Sequence, residues 1–375
     1  MCNTKKILVL GTGNAQLDLI KYLKQKGHIV VGLSNTSQHS VNQIIDKFYP
    51  IDIVDKEKVC TIAQEENVDL IYSIGSDLAM PSVAYASQQL GLPCFLSGCC
   101  AEIMQNKTLF RKFLAENKIC AVPFMKAQTR NELSEWKIFP AIIKPSDSQG
   151  QRGIFKVDAP QDLERAFEQA KLFSRTQTVI IEEFIQGKEI SLNGYMVNGI
   201  LKYSFISDRQ TANNNSVGIV VGHHFPSQMP QEFQTKAATM AQQVASKLNY
   251  LNGPIYFQMI YNESDVQLIE GAPRLDGCHI WRLIEHRYRV NLLDISIEHL
   301  LNNTPPNKEI AETEKQIDSI IFFLEEPGTV FNKEKYDYNR AENSYYELYY
   351  NNKETVRPVN GILEKVGYQI ISSNA

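Results

Sequence analysis

The chain has 375 residues, 43% apolar and 21% charged, with 38 basic against 42 acidic side chains and a formal charge of −4. A chain this long folds as two or three packed units rather than around one small core, and its faint acidity argues against nucleic acid as the main partner. Seven cysteines with no Cys-x-x-Cys pair and no zinc-like His/Cys spacing point to reduced thiols. No run approaches the roughly 18 apolar residues of a membrane span, and the apolar run after the first lysines is too short for a secretory signal, so the expectation is a cytoplasmic protein.

In chain order, residues 6–10 read as a buried strand, Gly11-Thr-Gly13-Asn-Ala-Gln16 as a turn, and Leu17, Ile20 and Leu23 as the apolar stripe of a helix reaching Gly27. Strands at 29–33, 47–53, 69–74 and 93–96 then alternate with helices at 56–67 and 81–90. That alternation predicts a parallel, doubly wound sheet for residues 1–97. A helix over 101–118 follows, with Asn106-Lys107 on it or at its kink, then strands at 140–144 and 154–157, a helix at 160–173 and a strand at 178–182. Residues 189–197 and 200–207 form a hairpin on the two-residue turn Asn198-Gly199. The polar stretch 209–216 reads as a mobile loop, 230–248 as a helix, the segments around Gln258 and Glu270 as strands, and 280–300 as one long helix. The tail, 316–372, is strand-rich and aromatic.

Several short patterns carry chemistry. Gly11-x-Gly13-x-x-Gln16 can hold an anion at a helix start. It lacks the third glycine of the dinucleotide fingerprint, and Ser34 stands where an acid would take a ribose hydroxyl, so a tight turn beside some substrate is the better reading. Lys144 ends a strand and precedes a loop containing Ser146, Ser148, Gly150, Arg152 and Gly153. Successive amides of such a loop form an anion nest able to close over a triphosphate; read alone, a solvated hairpin turn accounts for it as well. Glu182-Glu183-Phe184-Ile185, with Glu189 beyond, can offer backbone groups to an adenine edge and a carboxylate to ribose, or be an exposed acidic turn. Adjacent strands would set the Gln258 amide oxygen beside the Glu270 carboxylate, hard oxygens that suit Mg²⁺, and Arg274 can neutralise a phosphate or a developing anion. His223 and His224 are neighbours on a strand and point to opposite faces, so both cannot ligate one ion and at most one faces the site. Asp276, His279 and Arg282 follow Arg274 closely enough to share a substrate pocket, although His279 also reads as a helix-start residue and Arg282 as part of a solvated helix face.

No one motif decides, but their order does: Asn106-Lys107, Ile-Ile-Lys144-Pro with its Ser/Gly/Arg loop, Glu182-Glu-Phe-Ile-x-Gly-x-Glu189, Gln258, then Glu270-x-Ala-Pro-Arg274-x-x-Gly277. Across nearly the whole chain this order resembles the ATP-grasp superfamily, most of all its carboxylate–amine ligases and their biotin-carboxylase and carbamoyl-phosphate-synthase relatives. The resemblance implies an α/β architecture. A doubly wound domain at 1–97 precedes a two-lobed α+β ATP-grasp fold, with a small lobe at 98–180, a large lobe at 181–315 and a strand-rich part at 316–375. It implies ATP and Mg²⁺ as cofactors, with Mn²⁺ as a substitute. Lys107 and Lys144 would contact phosphates under the 146–153 lid, Glu182 to Ile185 would line the adenine site, and Glu189 would bind ribose. Gln258 and Glu270 would hold the metal, Arg274 would steady the transferred phosphate, and His223, Asp276, His279 and Arg282 would meet substrate.

The implied activity is ATP-dependent joining of a small carboxylic acid to an amine, in a chain that pairs as a homodimer through its N-terminal domain. An acyl-phosphate route needs no side-chain nucleophile, so the absence of a Ser-His-Asp or Cys-His pattern is expected. Two departures stand out. Gln258 replaces an acid, and Ala272 stands where many relatives carry Asn. The Glu-x-Ala-Pro-Arg form is similar to that of the carboxyaminoimidazole ribonucleotide synthases. Either fewer metals bind or water replaces the missing ligands. Other readings are a bicarbonate-using carboxylase, an ATP-binding regulator without turnover and, last, a Rossmann oxidoreductase.

Overall fold

The computed structural model describes residues 4–36, 41, 43–212, 218–310, 316–339, 345–359 and 363–374. The N-terminal unit is built from β1 (Lys6–Leu10), α1 (Asn14–Gln25), β2 (Ile29–Leu33), β3 (Lys47–Tyr49), α2 (Lys56–Glu65), β4 (Leu70–Tyr72) and α3 (Met80–Leu90). Its sheet is parallel in the order β3-β2-β1-β4. Ile7, Leu8, Val9 and Leu10 are all fully buried, as expected of a parallel strand covered on both faces. The strand expected at 93–96 does not form. Pro93 brings no backbone donor, and Phe95 leaves the N-terminal unit to pack edge-on against Tyr195 and His299.

The single helix expected over 101–118 is two helices, α4 (Gly98–Gln105) and α5 (Lys107–Glu116). Asn106 breaks them with an extended backbone, and its side-chain oxygen accepts from the amides of Thr108 and Leu109 at 3.0 and 3.1 Å. That cap fixes Lys107 at the first helical position.

A four-stranded antiparallel sheet follows, made of β5 (Phe124–Ala127), β6 (Ala141–Pro145), β7 (Phe155–Val157) and β8 (Val179–Glu183) in the order β5-β8-β6-β7. β5 has no alternating pattern and was not anticipated. Helix α6 (Leu163–Lys171) covers the sheet through Leu163, Ala166, Phe167 and Ala170.

The large sheet has eight strands: β9 (Lys188–Val197), β10 (Ile200–Thr211), β11 (Val220–Phe225), β12 (Gly253–Tyr261), β13 (Val266–Ala272), β14 (Gln316–Glu325), β15 (Tyr345–Leu348) and β16 (Glu364–Asn374). Their order is β13-β12-β9-β10-β11-β14-β16-β15, so the C-terminal strands extend the same sheet by pairing β14 with β11. The β9–β10 hairpin turns on Asn198 (φ 50°) and Gly199 (φ 81°), the left-handed pair that a two-residue turn requires. β10 runs to Thr211, so the polar stretch expected as a loop begins as strand; residues 213–217 lie outside the described residues.

One face of this sheet buries Ile190, Leu192, Met196, Ile255, Phe257 and Met259 against α7 (Gln231–Lys247). The opposite face turns toward the N-terminal unit and carries the polar residues described below. The long helix expected over 280–300 is also two, α8 (Ile280–Tyr288) and α9 (Leu292–Asn302). Arg289 (φ 58°) ends the first, and Asn291 caps the second through the amides of Leu293 and Asp294. Among the described residues, no helix is long and apolar enough to cross a membrane.

Candidate active site

β12 and β13 pair Gln258 directly with Glu270, as the sequence suggested, and Tyr256 with Ala272. The register slips beyond this pair, so Leu268 faces Met259 and Ile269 is the extra residue of a bulge. Such bulges re-aim side chains beside active sites. Burial alone would raise the Glu270 pKa, but the charges of Lys107, Lys144, Arg209 and Arg274 outweigh it and the net shift is downward. Among the described residues, no hydrogen bond or ion pair reaches this carboxylate. No cluster of three His, Cys, Asp or Glu side chains suited to a metal occurs among them either.

Lys144 and Glu182 are both buried, 2.6 Å apart. Arg111, which the sequence reading missed, completes a triad: its Nε donates to Glu182 at 2.5 Å and its terminal nitrogens to the carbonyls of Leu268 (2.5 Å) and Ile269 (3.1 Å). The triad therefore ties α5, β6 and β8 to the bulge that presents Glu270. Burial lowers the Lys144 pKa despite the opposing pull of Glu182. Burial pushes Glu182 up, but Arg111 and Lys144 dominate and bring it to about 2. The Glu182 carboxylate, expected near adenine, is thus committed to two cations. Glu183, Phe184 and Ile185 lead from the small sheet to the large one. The Phe184 amide donates to Pro140 O at 3.0 Å, its ring lies 4.8 Å from Lys156 Nζ, and Ile185 packs against the core behind β9.

The 146–153 loop is folded inward. The Lys107 amide donates to Ser146 O (2.9 Å) and its Nζ to Ser148 O (2.7 Å), while the Ser146 and Thr108 hydroxyls meet at 2.7 Å. Gly150 and Gly153 have φ of 70° and 74°. At Gly153 an added Cβ would lie 2.8 Å from the Phe173 ring and 3.0 Å from Pro145, so glycine is required there on both counts. Arg152 is exposed and donates back to Gln149 O at 3.3 Å. Gln149 reaches the N-terminal unit, its Oε1 accepting from the Asp77 amide at 3.0 Å.

Asp77 was also missed. It follows the carboxyl end of β4, the edge where open parallel sheets bind ligands. Its carboxylate accepts from Arg274 Nε at 2.8 Å and is ion-paired with Nη2 at 2.5 Å, and Arg274 Nη1 donates to Leu275 O at 3.0 Å. Asp77, Lys107, Tyr256, Glu270 and Arg274 line one cleft. Gly75 meets Ala15 and Gly277 there; a Cβ on it would sit 2.8 Å from the first and 3.0 Å from the second. The Gly11–Gln16 turn therefore lies against the 275–277 segment, beside the cleft.

The other expected substrate residues are placed differently. Both Asp276 oxygens are used at the start of α8, accepting from the amides of Cys278 (2.7 Å) and Ile280 (3.1 Å). His279 bonds Asp18 (2.7 Å) and the Tyr349 hydroxyl (2.7 Å), and Arg282 chelates Asp18 through two nitrogens at 2.9 Å. Asp18 is buried, which opposes its ionisation, yet His279 and Arg282 hold its pKa well below the carboxylate range. These three sequence candidates thus pack the junction between α1, α8 and the C-terminal strands.

His223 is the histidine that faces the site, on the strand position opposite Arg209. Burial, then the nearby charges of Arg209 and Lys365, hold its pKa well below that of a free imidazole, so it is neutral. Glu189, expected at ribose, lies 3.1 Å from Arg209 Nε and accepts from Gln258 Nε2 at 2.9 Å.

The chain is similar to several known proteins. Residues 137–281 match the model of an ATP-grasp domain. The chain is 23% identical over 323 residues to a formate-dependent phosphoribosylglycinamide formyltransferase of Prochlorococcus marinus, covering 82% of this chain and 79% of that protein. Among solved structures, an L-amino acid ligase from Bacillus licheniformis superposes with a TM-score of 0.81 at 15% identity, covering 100% of this chain and 95% of that one. An N5-carboxyaminoimidazole synthetase from Staphylococcus aureus, complexed with ADP, superposes with a TM-score of 0.78 at 14% identity, covering 99% and 94%.

Proposed function

We propose that this chain, a member of the ATP-grasp superfamily, is an ADP-forming ligase that joins a carboxylic acid to an amine. The observation that carries the proposal is Glu270: a carboxylate with no hydrogen bond or ion pair among the described residues, set beside Gln258 and within the field of Lys107, Lys144, Arg209 and Arg274. An acid so placed, beside an amide side chain, suits a hard cation whose other ligands would be phosphate oxygens. Gln258 and Glu270 would hold Mg²⁺, with Mn²⁺ as a substitute, and the ion would supply neutralisation of the phosphate charge.

The remaining work falls to the chain. Lys107 and Lys144 neutralise phosphates, with Glu182 and Arg111 fixing the Lys144 ammonium. The 146–153 loop, through Ser146, Ser148, Gly150, Arg152 and Gly153, closes over the triphosphate and keeps out water, which would hydrolyse an acyl phosphate. Glu183, Phe184 and Ile185 flank the adenine and Glu189 turns to ribose. A substrate carboxylate oxygen attacks the γ-phosphorus and ADP leaves. The amine nitrogen then attacks the acyl carbon; the C–O bond to phosphate breaks, and the nitrogen loses its proton. Arg274, now held by Asp77, is placed to steady the oxyanion formed. The N-terminal domain serves as the surface of a homodimer.

A second reading, a nucleotide-binding regulator without turnover, is favoured by Ala272 and Gln258, which stand where an amide and an acid would add metal ligands beside Glu270. Mg-ATP offered with a grid of carboxylic acids and amines separates the two. ADP release that needs one acid and one amine, with a product mass equal to their sum less water, supports the ligase. ATP binding with no ADP from any pair supports the regulator.

A further inference from the structure

The sheet face that carries Gln258 and Glu270 continues into a polar surface that the nucleotide and metal roles leave unused. The strand registers fix its members. Gln258 lies opposite Glu270 on one side and Ser191 on the other, Ser191 lies opposite Ser207, Tyr256 opposite Asn193, and Arg209 opposite His223. Paired residues on neighbouring strands point to the same face, as do residues two apart along a strand. A polar row therefore crosses five strands from Glu270 to His223. At about 4.8 Å per strand its two ends lie roughly 19 Å apart.

The far half of this row is buried yet incompletely bonded. Asn193 is 3% exposed, His223 1% and the Arg209 side chain 5%. Among the described residues, Nδ2 of Asn193 and Nε2 of His223 have no hydrogen-bond partner. Native interiors satisfy such groups, so two of them on one buried surface call for a ligand. The donors agree in kind. Asn193 offers an N–H. His223 Nδ1 lies 3.2 Å from Ser207 Oγ, and a hydroxyl that donates there leaves Nε2 bearing hydrogen. Arg209 brings a guanidinium held by the Tyr256 hydroxyl at 3.0 Å. Cationic groups gather there as well: Arg209 and Lys365 are both felt at His223, with Glu189 3.1 Å from Arg209 Nε and Glu270 also felt at Arg209. With two carboxylates already near Arg209, this donor set suits a singly charged acceptor such as a carboxylate.

We propose, resting on the ligase reading above, that Arg209, Asn193 and His223 form a subsite for a carboxylate at the end of a substrate remote from the reacting centre. At least one of the two substrates is then an amino acid or a dicarboxylic acid, and a one-carbon acid does not fill the cleft by itself.

The test is calorimetric titration of the full chain, loaded with Mg²⁺ and a non-hydrolysable ATP analogue, with glycine, glutamate, succinate, formate and inorganic phosphate. One of the three larger carboxylates binds well above formate and phosphate, and Arg209→Gln weakens it about thirtyfold or more. His223→Asn weakens it about fivefold, the worth of one hydrogen bond. His223→Gln, whose amide reaches the place of Nε2, retains it. Affinity for the ATP analogue, unchanged in both His223 variants, shows that the fold is kept. The proposal is overturned if phosphate or formate binds best, if none of the carboxylates binds, or if Arg209→Gln and His223→Asn leave binding unaltered. Because no turnover is read, a chain that never releases ADP can still pass, and an active ligase can still fail.

Discussion

Replacing Arg111 with Met tests whether the buried triad holds the active cleft together. The folded-state pKa of Glu182 is about 2 against an ordinary 4.5, a difference worth about 3 kcal/mol of stability. Arg111 is the larger of the two attractive causes, so its removal forfeits most of that and also strips a donor from the carbonyls of Leu268 and Ile269. Breaking a buried pair by deleting one partner costs about 3–5 kcal/mol. Lys144 stays beside Glu182 and softens the loss, so about 3 kcal/mol is expected at neutral pH. The sign of the pH dependence follows from the depressed carboxyl: its contribution is complete above pH 4.5 and disappears as pH falls toward 2. Urea unfolding of wild type and Arg111→Met, measured from pH 7 down to the lowest pH at which both fold, should show a gap that narrows below pH 4.5. A gap under about 1 kcal/mol at pH 7, or one of constant size through the acid range, would refute the assignment of Glu182 as a carboxylate held by Arg111.

Glu270→Gln should abolish ADP release while changing ATP-analogue affinity only modestly, as read by coupled assay and by calorimetry; undiminished turnover would remove Glu270 from the site. Asn106→Ala deletes the cap that fixes Lys107 and should cost about 1 kcal/mol in thermal or urea unfolding, with a raised KM for ATP and little change in kcat. Gly153→Ala forces a left-handed alanine against Phe173 and Pro145; the strain of about 1–3 kcal/mol should appear as a lid that closes poorly, seen as a higher KM for ATP and faster proteolysis within 146–153.

Much of this fold was readable because its signals are local. Ile7 to Leu10 form a run that only a doubly covered strand tolerates, and Asn198-Gly199 names its own turn. The pairing of Gln258 with Glu270 followed from two strands joined by a short connection. What failed to read was long-range or mixed in signal. Arg111 meets Glu182 across 71 positions, Arg274 meets Asp77 across 197, and His279 meets Asp18 across 261. No periodicity encodes such meetings. Arg111 nevertheless left a trace: it shares the buried stripe of α5 with Phe110 and Leu114, and a basic residue on the apolar side of a helix needs a partner inside. The break of the 280–300 segment had a trace as well, since Asn291 is a good N-cap residue in the middle of an otherwise continuous apolar pattern.

The charges of the cleft also bear on how a nucleotide would enter it. Glu182 holds both Lys144 and Arg111, Asp77 holds Arg274 and Glu189 lies against Arg209, while Lys107 is held by a backbone carbonyl and Glu270, among the described residues, by no hydrogen bond or ion pair. A set this close to neutral cannot balance a bare triphosphate in a partly buried cleft, where unpaired charge is expensive. One whose charge is already lowered by a divalent ion would suit it better, because Glu270 would hold that ion and the surrounding lysines and arginine would be left for the remaining phosphate oxygens. Nucleotide and metal are therefore expected to enter as a unit. Titration with ATP in the presence of a chelator should show affinity falling by far more than the loss seen for Glu270→Gln in Mg²⁺, since chelation leaves both the triphosphate and Glu270 uncompensated whereas the substitution removes one of the two charges.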